Sequence, residues 1–103
     1  MEEEMVLCAA NAYIQKYYFN EDFAILPQEI KDELQILCVM FTEEIGGIFT
    51  LYFNEEGNLC MQTEAEESDG LYDDIGAELK IKKIRNEKKE LFESLELFYR
   101  TFC

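Results

Sequence analysis

Residues 46–67, GGIFTLYFNEEGNLCMQTEAEE, decide how the rest of this chain is to be read. In the first half, Ile48, Thr50 and Tyr52 alternate with Phe49, Leu51 and Phe53; the second half runs Leu59-Cys60-Met61-Gln62-Thr63. A period of two belongs to strands, whose side chains point alternately to opposite faces. Between the halves lies Asn54-Glu55-Glu56-Gly57-Asn58, with glycine where the chain needs a positive φ to reverse. The spacing predicts an antiparallel hairpin over residues 48–63. A hairpin alone is marginal in water, so helices must cover one of its faces.

The flanks supply those helices. Upstream, Ile30, Leu34, Leu37, Phe41 and Ile45 recur at helical spacing, with Pro27 expected at the first helical position and Gly46-Gly47 as the stop. This predicts a helix over 28–45. Its middle, Ile36-Leu-Cys-Val-Met-Phe41, is apolar on every side, so the helix should be enclosed in mid-length. Before it, residues 5–10 read as a buried strand and Tyr13–Phe19 as a second, ending at Asn20-Glu21-Asp22. Phe23–Leu26 reads as extended, because the residue before a proline avoids the helical region.

Downstream, Glu64–Gly70 is an acidic connector, and Ser68 or Asp69 is placed to cap a helix beginning near Leu71. Ile75, Leu79, Ile84, Leu91, Leu95, Phe98 and Phe102 mark its apolar stripe. The polar run Arg85–Glu90 interrupts that stripe and puts Lys88 where an apolar residue belongs, so either Lys88 snorkels or the helix breaks near Asn86. Unbroken, residues 71–102 would form a rod about 48 Å long. A chain of this size has a diameter of only about 26 Å. The helix must therefore bend, break or project toward another chain. A short echo, Tyr17-Tyr-Phe-Asn-Glu-Asp22 against Leu51-Tyr-Phe-Asn-Glu-Glu56, reads as coincidence rather than duplication. The expected fold is α+β: a small antiparallel sheet of hairpin 48–63 plus N-terminal strands, packed by helix 28–45 and a long C-terminal helix, 71–102.

At 103 residues the chain has the length of one domain, and 49% apolar residues suffice for a core. Twenty-three acids against nine bases give a net charge of −14, which disfavours binding to nucleic-acid backbones or anionic membranes. Residues 1–79 hold nineteen acids and two bases; residues 80–103 hold four acids and seven bases, so the C-terminal part is opposite in sign to the rest. The start, Met1-Glu2-Glu3-Glu4, is acidic where a secretory leader is basic, and the apolar run 36–41 is too short to cross a bilayer. A cytoplasmic location is expected.

Chemistry is constrained by absences. There is no histidine, which removes the commonest general base and metal ligand. Cys8, Cys38, Cys60 and Cys103 form no Cys-x-x-Cys pair and read as buried apolar residues plus a terminal thiol. Carboxylates crowd the connector at Glu64, Glu66, Glu67, Asp69, Asp73 and Asp74. With Gly70 at the sixth place of a calcium loop, the first place would be Ala65 and the twelfth Gly76, so that pattern fails. A solvated loop is the reading, with a weak cation site as its rival. No cofactor, no metal and no enzymatic activity are expected. The aromatic residues should be mostly core, and Phe92, Phe98, Tyr99, Phe102, Tyr17 and Tyr18 are the candidate interaction surface. The basic run Lys80–Lys89 reads as a solvated face drawn to the acidic body, with helical pairs Glu78/Lys82 and Glu96/Arg100.

Cys8-Ala-Ala-Asn11, Lys16-Tyr-Tyr-Phe-Asn20, Leu26-Pro27, Cys38-Val39, Phe41-Thr-Glu-Glu44, Gly46-Gly47 and Leu71-Tyr-Asp73 together resemble a family of small acidic clostridial proteins of unknown function. The resemblance spans nearly the whole chain. It implies a bacterial cytoplasmic protein and carries over no active-site residue. The function expected is a non-enzymatic protein–protein interaction module that engages a basic or amphipathic partner, or pairs with itself through the far end of the last helix. Three alternatives stand beside it. An acidic DNA mimic needs carboxylates spaced like phosphates on one face; a chaperone-like binder of a client peptide needs an exposed apolar groove. A carboxylate-based enzyme needs a deep pocket holding two acids.

Overall fold

The computed structural model describes residues 4–102. Strands β1 (Met5–Asn11), β2 (Lys16–Phe19), β3 (Ile48–Phe53) and β4 (Leu59–Glu64) form one antiparallel sheet in the order β2-β1-β3-β4. Helices α1 (Gln28–Ile45), α2 (Asp74–Glu87) and α3 (Lys89–Phe102) complete the α+β architecture, with a 3-10 turn at Glu21–Phe23. The hairpin is where residues 48–63 were expected to make one. Its reversal is held by the Asn54 side chain, which accepts from the amides of Glu56 (3.0 Å) and Asn58 (2.9 Å), and by Gly57 at φ +85. No Cβ-bearing residue adopts that conformation without strain.

Register separates the two faces of the sheet. Cys8 and Ala10 of β1 lie opposite Leu51 and Phe49, and Met61 and Thr63 of β4 lie opposite the same two residues. This face is the core: Phe49, Leu51 and Phe53 are fully buried. Phe41 of α1 stacks on Phe49 with ring centroids 4.2 Å apart, and Tyr99 of α3 stacks on Phe53, also at 4.2 Å and nearly parallel. Phe23 tilts against Phe53 at 5.6 Å and closes the same cluster. The other face, with Tyr18, Ala9, Thr50 and Gln62 in one row across the strands, is the solvated side common in antiparallel sheets. In β1 the pairing slips between Val6 and Cys8. The bulge breaks the alternation and lets consecutive Leu7 and Cys8 both enter the core.

α3 also grips the hairpin. The Glu96 carboxylate accepts from the Leu59 amide at 2.8 Å, and the Arg100 guanidinium donates to the Asn58 side chain at 2.6 Å. These two residues, expected to pair with each other along the helix, instead tie the last helix to the turn. Gly57 leaves room for the Arg100 side chain, since a Cβ there would lie 3.0 Å from it.

Several expectations are corrected. Phe23–Leu26 is not extended: Phe23 ends the 3-10 turn and Ala24 is helical at φ −61, ψ −21, because the Asn20 side chain caps the turn by accepting from the Asp22 amide. Strand β2 begins at Lys16, not Tyr13, because the Asn11 side chain accepts from the Tyr13 amide (2.9 Å) and starts a turn through Gln15 at φ +54. The C-terminal helix begins at Asp74 instead of Leu71, with Asp73 as its cap: its carboxylate accepts from the Gly76 amide at 2.9 Å. Of the two alternatives for its polar interruption the helix takes the break, at Lys88 (φ −107, ψ 23), two residues beyond Asn86, and Lys88 spans to Glu33 of α1 at 3.0 Å. The echoing segments 17–22 and 51–56 begin in the second strand of one hairpin (β2) and the first strand of the other (β3), in keeping with coincidence rather than duplication.

A further correction bears on function. α1 is not enclosed in mid-length. Leu34, Cys38, Phe41 and Thr42 face the sheet, while Ile36 and Met40 point outward and are 63% and 50% exposed. The stripe expected along residues 75–102 also loses its first two members. Ala77 and Ile84 are the inward positions of α2, seven residues apart, whereas Ile75 and Leu79 are 74% and 62% exposed.

Candidate functional site: the outer face of α1 and α2

α1 and α2 run antiparallel, joined by two ion pairs. Lys80 meets Glu44 near one end, and Lys88 meets Glu33 at 3.0 Å near the other. Among the described residues these are the ion pairs, and both are surface pairs of the kind that contribute little to stability. The Lys80 ammonium, hydrogen-bonded to Glu44, holds that carboxyl below the usual carboxylate range, with Lys83 adding to the effect. Between the pairs lies an open groove of about 520 Å³. Leu37 and Ile84 are among its linings, as are Ile36 and Met40; Glu29, Asp32, Glu33 and Glu87 line it as well. Four apolar side chains with a charged border are the composition of a docking surface, apolar at the centre and polar at the rim.

On α1, Glu29, Asp32 and Glu43 are exposed; on α2, the exposed Lys82 and Lys83 stand among exposed Asp74, Glu78 and Glu87, so the two helices are not divided cleanly by sign.

The residues expected as an interaction surface do not form one patch. Phe92 is 4% exposed, in the core with Leu95. Tyr99 is locked in its stack on Phe53, and Tyr17 lies on the core face of β2 opposite Ala10. Tyr18 is exposed on the opposite face of the sheet, while Phe102, 72% exposed, contacts Phe98 at 5.1 Å at the end of α3. Ile36, Met40 and Leu79 were missed as surface residues. For α1 the signal was present: Ile36 and Met40 share a side because they are four apart, and Leu34, Cys38 and Phe41 already filled the opposite one. For α2, the exposed Leu79 lay hidden in a stripe drawn with the wrong phase.

The connector is ordered by the β1–β2 turn. The Tyr13 hydroxyl donates to Asp69 at 2.6 Å and accepts from the Glu66 amide at 3.0 Å. Gly47, at φ +72, permits the close passage of Glu64 and Tyr72, since a Cβ there would sit 2.5 Å from the Glu64 carbonyl oxygen. Among the described residues no three acidic or cysteine side chains converge as a cation site. Cys8 and Cys38 face each other across the β1–α1 interface with their sulfurs 3.6 Å apart, and both are fully buried. The hydrogen bond between them, followed by burial, pushes the Cys38 thiol well above its ordinary pKa. A thiol so protonated is a poor nucleophile.

The fold is a four-stranded antiparallel sheet with helices on its core face, and no helix among the described residues is long and apolar enough to cross a membrane. The chain belongs to a family of unknown function, DUF6145, whose model matches residues 4–103. Comparison with curated proteins and with solved structures yields no significant match.

Proposed function

We propose that this protein is a non-enzymatic, cytoplasmic bacterial interaction module that receives a protein partner on the outer face of α1 and α2. The observation that carries this reading is the pair Ile36 and Met40, 63% and 50% exposed beside a groove with Leu37 and Ile84 in its lining. Large apolar side chains left uncovered together mark a surface that meets another molecule. The acids of α1 alternate with these apolar residues and are flanked by the lysines of α2, which favours an amphipathic helical partner over a phosphate mimic. The same groove suits the chaperone-like alternative, a client peptide laid in as a helix. The two differ in salt dependence: a client held by apolar contact stays bound as salt rises, while a partner held by charge does not.

The test is affinity capture from the native host with wild-type chain and with an Ile36→Asp/Met40→Asp variant as baits. Both positions are exposed, so the variant should melt within a few degrees of wild type. A protein retained by wild type and depleted at least about tenfold by the variant is the expected result, since losing about 1.4 kcal/mol of binding is tenfold in affinity. Identical capture by the two baits would remove the α1–α2 face from consideration.

A further inference from the structure

We infer that Cys8 and Cys38 are an oxidation site, a dithiol that hydrogen peroxide converts to a disulfide after entering by the cleft between β1, β2 and α1, with the Tyr17 ring as its gate. The two cysteines are thirty residues apart, one on β1 and one on α1, and packing brings their sulfurs to 3.6 Å. A disulfide is about 2 Å long, so small side-chain movements close the remaining gap. Cys60 is no competitor: it pairs with Tyr52 and so lies on the opposite face of the sheet from Leu51 and Cys8.

Both thiols are fully buried, so an oxidant needs a way in. An open cleft of about 610 Å³ lies over the same seam, lined by Ala10, Lys16 and Tyr17 from the sheet and by Val39 and Thr42 from α1. Tyr17 belongs to both places. Its side chain is part of the cleft wall, and its hydroxyl is enclosed beside Cys8 and Cys38 without a hydrogen-bond partner. Swinging outward gives that hydroxyl the bonds to water it lacks inside, which lowers the cost of displacing the ring. β2 is also an edge strand of four residues, paired only with β1, and such elements open locally while the rest stays folded. With the ring displaced, water reaches Cys8 and its thiol can give up a proton. The Cys8 thiolate attacks one peroxide oxygen and the O–O bond breaks; the departing hydroxide takes the thiol's proton as water, leaving Cys8 a sulfenic acid. The Cys38 sulfur then attacks the Cys8 sulfur, the S–O bond breaks, and a second water leaves with the Cys38 proton. Two thiols and one peroxide thus give one disulfide and two waters, two electrons passing from sulfur to oxygen. The product ties β1 to α1 across the core.

The test uses the full chain with Cys60→Ser and Cys103→Ser, so that only this pair can react. Folded protein is treated with excess hydrogen peroxide, quenched with catalase, denatured, alkylated with N-ethylmaleimide and weighed intact. The expected product is about 2 Da lighter than the reduced chain, takes up no maleimide, and accepts two after dithiothreitol. Tyr17→Leu, with a smaller cover, should form it about tenfold faster, and Tyr17→Phe, with no hydroxyl to rehydrate, more slowly than the parent. Far-ultraviolet circular dichroism confirms that each variant is folded; if Tyr17→Leu is not, the Tyr17→Phe comparison decides alone. Urea below the unfolding transition should leave the parent's rate unchanged, as local opening requires. Two free thiols after treatment, or sulfinic acids in place of the disulfide, overturn the pairing. Any other order of the three rates, or a rate that climbs with urea from the first addition, overturns the Tyr17 gate.

Discussion

Replacing Phe53 with alanine is expected to lower stability by about 3–5 kcal/mol, the range for deleting a buried aromatic ring. Phe53 is fully buried, stacked on Tyr99 at 4.2 Å and tilted against Phe23 at 5.6 Å. It is thus where the hairpin, the segment before α1 and the last helix meet. A domain near this size has roughly 5–15 kcal/mol in total, and each kcal/mol moves the midpoint by roughly 4–8 °C. Thermal unfolding followed by circular dichroism should show a drop of roughly 12–40 °C, or no cooperative transition. A double-mutant cycle with Tyr99→Ala should return a coupling of about 0.5–1.5 kcal/mol for the stacked pair beyond simple burial. A Phe53→Ala chain that melts within a few degrees of wild type would mean that α3 does not seal the hairpin.

The second large effect is a loss of stability in alkali. The folded protein holds the Cys38 thiol protonated beside Cys8, and burial likewise raises the Tyr17 phenol, whose hydroxyl is enclosed without a hydrogen-bond partner. In the unfolded chain these groups ionise from about pH 9 and 10 respectively, their ordinary values. Above those values the unfolded state has released protons that the folded state retains, so stability is intact below pH 9 and declines as pH rises. Each group in that window contributes about 1.4 kcal/mol per pH unit. Urea unfolding between pH 8 and 11 should therefore show a steep fall for wild type. The stability gap between wild type and Cys38→Ala should narrow by about 1.4 kcal/mol per unit above pH 9. A gap that stays constant across the series would show that the thiol already ionises freely in the folded protein.

Much of this architecture is legible in the residues. Alternation over 48–53, Gly57 in the turn, and Gly46-Gly47 after an apolar helical period fix the hairpin and the bounds of α1, because local backbone preference and burial agree there. Where they disagree, the reading shifts. Tyr13-Ile14 look like strand by propensity, but the Asn11 side chain captures the next turn and Gln15 takes a positive φ. Ile75 and Leu79 look like core by composition, but the cap at Asp73 fixes the start of α2, and Ala77 and Ile84 are the residues that then face inward. Long-range facts leave no local trace: the meeting of Cys8 with Cys38, thirty residues apart, and the reach of Lys88 to Glu33 exist only once β1, α1 and α2 are packed. The outer face of α1 is a mixed case: the spacing of Ile36 and Met40 puts them on one side, but an apolar run all round the helix implies full burial unless the neighbouring helix is known to stand to one side.

The central claim, that the α1–α2 outer face is where this protein meets its partner, is tested most directly by site-specific photo-crosslinking in the native host. A photoreactive residue is placed singly at positions 36, 79, 18 and 102, of which the last two are the exposed aromatic sites Tyr18 and Phe102. The account predicts a discrete crosslinked product from positions 36 and 79 and none from 18 or 102. Crosslinks confined to position 18 or 102, with none from 36, would contradict it.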